Sequence, residues 1–248
     1  MTTPFVLEWL MTPIDAGRPH DLGFNLKWHG RFMVVAWGIL VPLGVIAARF
    51  FKVMPRQDFP AVVESLLWWR THLFSQVWAL VLMGVGLWLV LGRPTHATVT
   101  ASVWLHHWLG WAVMALGAMQ ALSGALRGTK GGPSDPRGRM RGDHYDMTRR
   151  RMIFERVHKT VGYAALGLSA GAVLTGMWQA NAPHWMWMLI PGWWILLVVA
   201  FVAFQRRGMV VDTYVALWGP DPTLPGNARR IEAMRRRLEG RGGPRGVA

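Results

Sequence analysis

The stretch "LHHWLGWAVMALGAMQAL", Leu105 to Leu122, decides how the chain is read. Two adjacent histidines open an otherwise apolar run, and a polar ring at the edge of a bilayer costs free energy unless something there uses it. At about 100° per residue, Gly110, Gly117 and Gly124 fall within roughly 40° of His106 but 60° or more from His107. Glycines below a side chain leave a flat groove along a helix, as small residues do where membrane helices pack closely. The stretch predicts a spanning helix whose His106, rather than His107, faces a flat ligand.

Working outward, apolar segments run from Arg31 to Ala48, Leu73 to Leu91, Trp108 to Leu126, Val161 to Trp178 and Trp185 to Phe204. Each is near the roughly 20 residues that cross a bilayer. Hydrophobic residues make up 52% of the 248, 16 of them are tryptophan, and the charges gather into blocks between the segments. That is the composition of a membrane protein. The expected fold is all-α and integral to the membrane, with five transmembrane helices at about 29–51, 71–91, 104–126, 156–178 and 185–206. Residues 1–24 form an outside segment, 25–205 the membrane domain and 206–248 a basic tail.

Lysines and arginines set the orientation. There are 4 from Arg49 to Arg70, 10 from Arg127 to Lys159 and 9 from Arg206 onward, against Arg18, Lys27, Arg31 and Arg93 on the other side. The positive-inside rule then puts the N-terminus outside and the C-terminus inside, periplasmic and cytoplasmic if the membrane is a bacterial inner membrane. The net charge of +14 is a topology signal and an attraction to membrane lipid headgroups, and no nucleic acid is needed to explain it. No cleavable signal peptide is expected in "MTTPFVLEWLMTPIDAG", whose short apolar part is expected along the outer surface. The loop "RGTKGGPSDPRGRMRGDHYDMTRRRMIFER" reads as an inside loop, too rich in Gly, Pro and charge for a compact unit. In the tail, Ile231, Met234 and Leu238 recur at helical spacing among arginines, which suits either a basic helix on the inner leaflet or a solvated coil.

Nine histidines sort by position. His20, His96 and His184 fall in outside segments and His144 in the inside loop, surface positions where no special role is expected. His29, His72, His106/His107 and His158 sit at the starts of four helices that alternate in direction. The first and third starts share the outer level and the second and fourth the inner one, which makes two pairs. Neutral imidazole is a good axial ligand for haem iron, and facing helices of a bundle are a standard place to hold a cofactor. The candidate metal ligands are therefore His29 with His106 and His72 with His158, in a four-helix haem-binding core. Small residues continue the pattern below His158, at Gly162, Ala165 and Ser169, as Gly110 and Gly117 do below His106. Lys27 and Arg31 outside, and Arg70, Arg156 and Lys159 inside, are candidates to neutralise haem propionates. Trp37, Trp78, Trp108 and Trp111 are candidates to pack on the macrocycles. The absence of cysteine excludes disulfides, iron–sulfur clusters and thioether-linked haem, so any haem is held non-covalently.

These residues resemble the cytochrome b561 family. "WHGRFMVVAWGILVPLGVIAARF" is similar to its H-G…W-G…P-L-G…A-R pattern and "LHHWLGW" to its L-H-x-x-L-G, while "WWRTHLFSQ" and "FERVHKTVGY" resemble its second and fourth histidine helices. The likeness covers about residues 25–205. It implies two haem b groups, ligated by His29 with His106 and by His72 with His158, and a fifth helix alongside. The layout resembles the cytochrome parts of DOMON-linked members, although the DOMON domain and the ascorbate-associated motif are not evident. The expected function is electron transfer across the membrane between a donor and an acceptor drawn from quinol, an ascorbate-like reductant or a redox protein. By family analogy the protein is a homodimer or the subunit of a complex. A haem-b anchor subunit of a larger oxidoreductase, a haem-free histidine-based transporter and a structural anchor are the alternatives.

Overall fold

A computed structural model describes residues 3–18, 20, 22–91 and 100–241, and the regular elements among them are helices. In chain order these are α1 (Thr3–Met11), α2 (Phe24–Met33), a π-helical segment (Val34–Leu40), α3 (Val41–Phe50), α4 (Leu67–Val90), α5 (Ala101–Ala125), α6 (Arg149–Gln179), α7 (His184–Arg206), α8 (Thr213–Trp218) and α9 (Pro225–Arg241). The first three of these after α1 run on as one span, Phe24–Phe50. That span, α4, α6 and α7 are long and apolar enough to cross a membrane. The helix α5 has 25 residues and so extends about 38 Å, enough by length. His106, His107, Gln120 and three glycines dilute its apolar character, and it does not join those four.

The helices begin earlier than hydropathy predicts. Thr100 caps α5 by accepting a hydrogen bond from the Val103 amide, and Thr148 caps α6 by accepting one from Arg151. Each therefore gains a polar or aromatic first turn that hydropathy alone does not count. His106 and His158 consequently lie five and nine residues inside their helices, and His29 and His72, whose helices have no side-chain cap, also lie five residues in.

The first span packs along α4, and α5 along α6. Where the four meet, Ala36, Trp37, Val41, Ala79, Met83, Val113 and Ala165 form the buried centre. Its small residues suit helices in lipid, whose association depends on close backbone approach rather than on exclusion of water. The helix α7 lies outside this core. Phe50 packs against its Phe201 and Phe204 at 4.9 and 5.5 Å, and Trp193 Nε1 donates to the Gly38 carbonyl at 3.0 Å.

The two ends of the bundle differ from expectation in ways that share one cause. The loop after α5 is not an open coil but a knitted cap. The Asp143 carboxylate accepts from the Thr129 amide and from the Thr148 hydroxyl, Asp135 accepts from the Gly131 and Arg137 amides, and Asp146 from Gly142. Aspartates thereby satisfy backbone donors that a helix or strand would otherwise satisfy, and glycines at positive φ, such as Gly131 and Gly132, allow the tight path. His144, expected on the surface, is buried against Trp218 at a ring distance of 4.8 Å, and Arg151 donates to its Nε2 at 3.2 Å. Burial, with the positive charges of Arg151, Arg230, Lys130 and Arg127 adding to it, pushes its pKa down to about 2. Lys52, buried where it donates to the Val211 carbonyl, is pushed down to about 8, chiefly by burial and then by Lys159. The tail takes the helical form as α9, tied down by Arg229 to the Met147 carbonyl and by Arg230 to Asp212, with Ile231 and Met234 exposed.

At the opposite end the fully buried Asn181 accepts from the Asp15 amide and donates to the Asp15 and Arg18 carbonyls. His184 donates to the Thr12 carbonyl and His20 to that of Ala180. These two histidines, assigned no role by sequence, strap the N-terminal segment onto the α6–α7 turn. His96 and Arg93 lie outside the described residues.

Candidate cofactor sites between paired histidines

Four histidines come together as two pairs. The rings of His29 and His106 have centroids 6.4 Å apart with planes at 84°, and those of His72 and His158 are also 6.4 Å apart, at 75°. His106 is the ring of the doublet that meets His29 and is half-buried, whereas His107 is exposed.

Each Nδ1 is engaged by a neighbouring helix. His29 donates to the Gly86 carbonyl at 2.8 Å, His72 to the Gly44 carbonyl at 3.1 Å and His106 to the Ala172 carbonyl at 3.0 Å. A carbonyl oxygen only accepts, so in these three rings Nδ1 carries the proton and Nε2 keeps its lone pair. For His158 the partner is the Ser123 hydroxyl, at 2.9 Å. Ser123 donates its own proton to the Gln120 carbonyl at 3.0 Å, which leaves its oxygen to accept from His158 Nδ1. All four rings thus share the arrangement that orients a metal-ligating imidazole.

The pattern is reciprocal. The first span and α4 each offer a carbonyl to the other's histidine, and α5 and α6 exchange the equivalent bonds in the same way. On α4 the acceptor Gly86 lies fourteen residues beyond His72, and on α6 Ala172 lies fourteen beyond His158. Both intervals correspond to a rise of about 21 Å, which is the separation of the two levels along the bundle.

The spacing can be tested against a metal ion. An ion held by two imidazoles lies about 2.0–2.1 Å from each nitrogen, and each nitrogen about 1.1 Å from its ring centroid, so centroids on opposite sides of one ion stand about 6.3 Å apart. Both pairs match. Among the described residues no three His, Asp or Glu side chains cluster as a cage, so such an ion would bring its remaining ligands with it. A porphyrin would do so, and open space beside Gly110 and Gly124 on α5 is compatible with one. A Cβ on Gly176 would stand 3.0 Å from His106 Cε1, and one on Gly86 3.1 Å from Met33 Cε. At Gly110, near His106, and at Gly124, fourteen residues further along α5 beside Ser123, a Cβ would meet open space, whereas Gly117 faces the core and Gly162 faces the Gln120 side chain.

The basic candidates are differently engaged. Arg31 lies over the Trp28 ring at 4.9 Å, Lys159 pairs with Glu155 at 3.3 Å and the Arg70 side chain is exposed; Lys27 lies two residues before His29. Of the four candidate tryptophans only Trp37 is buried, with Trp78, Trp108 and Trp111 about half exposed. Sequence reasoning missed the acceptors at Gly44, Gly86, Ala172 and Ser123. Their signal is a recurrence of small residues some fourteen to seventeen positions beyond each histidine on its own helix.

Long apolar helices with imidazole rings paired between them define a class, membrane proteins that present histidines to the interior of a helix bundle. Comparison with known proteins narrows it. The chain is similar to a cytochrome b561, DM13 and DOMON domain-containing protein of Arabidopsis thaliana, 25% identical over 208 residues, which are 80% of this chain and 20% of that one. It is also similar to ferric-chelate reductase 1 of Bos taurus, 26% identical over 212 residues, covering 78% of this chain and 28% of that protein. The Homo sapiens ferric-chelate reductase 1 is 28% identical over 166 residues, 67% of this chain and 24% of that one. The chain thus spans 20% to 28% of the length of these relatives. No family model and no solved structure matches it. The protein is an integral membrane protein similar to cytochrome b561 domain-containing proteins and ferric-chelate reductases.

Proposed function

We propose that the protein carries electrons across a membrane through two haem b groups, one between His29 and His106 and the other between His72 and His158. The observation that supports this best is the equal 6.4 Å spacing of both pairs, with each Nδ1 engaged and each Nε2 left as the ligand atom. His29 with His106 and His72 with His158 would each hold a haem between two imidazoles, and the chemistry supplied there would be electron exchange rather than oxygen activation. The chain's own task is positional. Four carbonyl or hydroxyl acceptors fix the rings, the surrounding helices exclude water, and the levels about 21 Å apart divide the membrane crossing into two shorter steps.

In this reading α5 is a fifth span despite its histidines, because the ligands turn inward and its exposed face carries Trp104, Trp108 and Trp111. The distribution of Lys and Arg supports placing the His72–His158 site and the cap on the cytoplasmic side, and the N-terminal strap on the other side of a membrane such as the bacterial inner membrane. The similarity to ferric-chelate reductases makes a ferric chelate the first acceptor to try at the His29–His106 face, with quinol, an ascorbate-like reductant or a redox protein as donor.

The test is a reduced-minus-oxidised spectrum and haem assay of the purified protein. Two low-spin haems per chain are expected, with His29→Ala and His72→Ala each removing a different one. A colourless wild-type protein, or a single haem abolished by both substitutions, would overturn the proposal.

A further inference from the structure

Among the described residues, one aromatic side chain belongs to the buried centre between the two histidine levels. Trp37 lies eight residues after His29 and seven before Gly44, whose carbonyl engages His72, so it sits near the midpoint between the levels. It is 7% exposed and belongs to the buried centre where the four helices meet. A Cβ on Gly117 of α5 would lie 3.3 Å from Trp37 Cζ2 and 3.2 Å from Met83 Sδ of α4, so the indole and the thioether fill the space opposite that glycine. The indole therefore bridges from the first span to both neighbours.

Two features of Trp37 are unusual for a side chain serving packing alone. Its Nε1 is buried and makes no hydrogen bond, a condition that costs about 1–3 kcal/mol and that phenylalanine or leucine would avoid. It also lies in the π-helical segment Val34–Leu40, a geometry found preferentially at functional sites. Trp193 of α7 borders the segment from outside, donating to the Gly38 carbonyl.

We propose that the Trp37 indole is the bridge through which electrons pass between the two sites, an inference that rests on the two-haem reading. With both sites loaded, the packed indole would supply the bonded path for a single electron passing from the reduced site to the oxidised one. No bond forms or breaks, no proton moves, and the indole is left neither oxidised nor reduced.

The experiment compares wild type with Trp37→Leu, Trp37→Phe and, as a packing control, Trp193→Phe. Transfer between the haems is followed after rapid photoreduction, alongside haem content and both midpoint potentials. Trp37→Leu is expected to slow transfer by roughly tenfold, because a gap leaves no atoms in contact to carry the coupling. Trp37→Phe should slow it less, and Trp193→Phe not at all, with haem content and potentials unchanged throughout. In the haem-free and loaded wild type alike, the ultraviolet resonance Raman difference from Trp37→Phe should show an indole N–H without a hydrogen bond. An unchanged rate in Trp37→Leu overturns the inference, as does equal slowing in Trp193→Phe or a Trp37→Leu protein that fails to take up both haems. Fewer than two haems in the wild type would instead overturn the reading on which it rests.

Discussion

Ser123→Ala isolates the contribution of a single positioning bond. In the native chain the Ser123 hydroxyl accepts from His158 Nδ1 at 2.9 Å and donates to the Gln120 carbonyl at 3.0 Å, and alanine removes both bonds with little change in volume. The ring then keeps its Nε2 but loses the partner that fixes its rotation and raises its basicity. Loss of such a partner typically weakens metal binding ten- to a hundredfold, or about 1.4–2.7 kcal/mol. The independent cost of a buried donor left unpaired, about 1–3 kcal/mol, falls in the same range. A less basic imidazole also donates less charge to iron, so the midpoint potential of that haem should rise. The assay is haem titration into the haem-depleted protein, followed by redox titration of the loaded form. The His72–His158 component should weaken and shift upward while the His29–His106 component, more than a dozen residues away along α5, stays put. If neither component moves, or both move equally, then the Ser123 bond does not orient a ligand and the site is wrongly drawn.

Two further outcomes follow from the geometry. His106→Ala should abolish one haem while His107→Ala, on the exposed side of the doublet, retains both, as read from haem content and redox titration. The buried His144 should make the cap acid-sensitive: its folded pKa, about 2, lies below the ordinary 6.5, so the unfolded cap binds the proton first. The stability contribution is complete above pH 6.5 and is lost as pH falls below it, by about 1.4 kcal/mol per unit or about 2 kcal/mol by pH 5. Proteolysis at the exposed Arg137–Arg141 segment should accelerate accordingly in the wild type, and His144→Phe should flatten that dependence.

What the sequence disclosed, and what it withheld, divides along physical lines. Long apolar runs report lipid-facing helices directly, because every backbone group inside a bilayer must be paired within the helix. The angular argument from Gly110, Gly117 and Gly124 singled out the same ring of the doublet that the structure turns toward His29, because a helix has one period and a face can be counted. Helix starts were misplaced because caps at Thr100 and Thr148 act through hydrogen bonds that hydropathy does not register. The acceptors for three of the histidines were invisible for a related reason. They are backbone carbonyls at Gly44, Gly86 and Ala172, and a carbonyl leaves no mark on residue type. The cap was misread because Gly, Asp and charge were counted as marks of disorder, whereas Asp135, Asp143 and Asp146 are its internal scaffold.

The reciprocal bonding bears on why two sites sit in one small bundle. Each antiparallel pair, the first span with α4 and α5 with α6, clips the histidine of its own partner at both ends, so the orientation of each ring is set by bonds inside its own pair. Packing of one pair against the other makes both imidazole couples, since His29 and His72 come from one pair and His106 and His158 from the other. The helix α7 contributes no ring to either couple. Its contacts, Trp193 on the Gly38 carbonyl and Phe201 and Phe204 on Phe50, fall on the π-helical segment and on the end of the first span. It flanks the first span from outside and supplies no side chain to the buried centre, so both imidazole couples and the packed core between them belong to four helices.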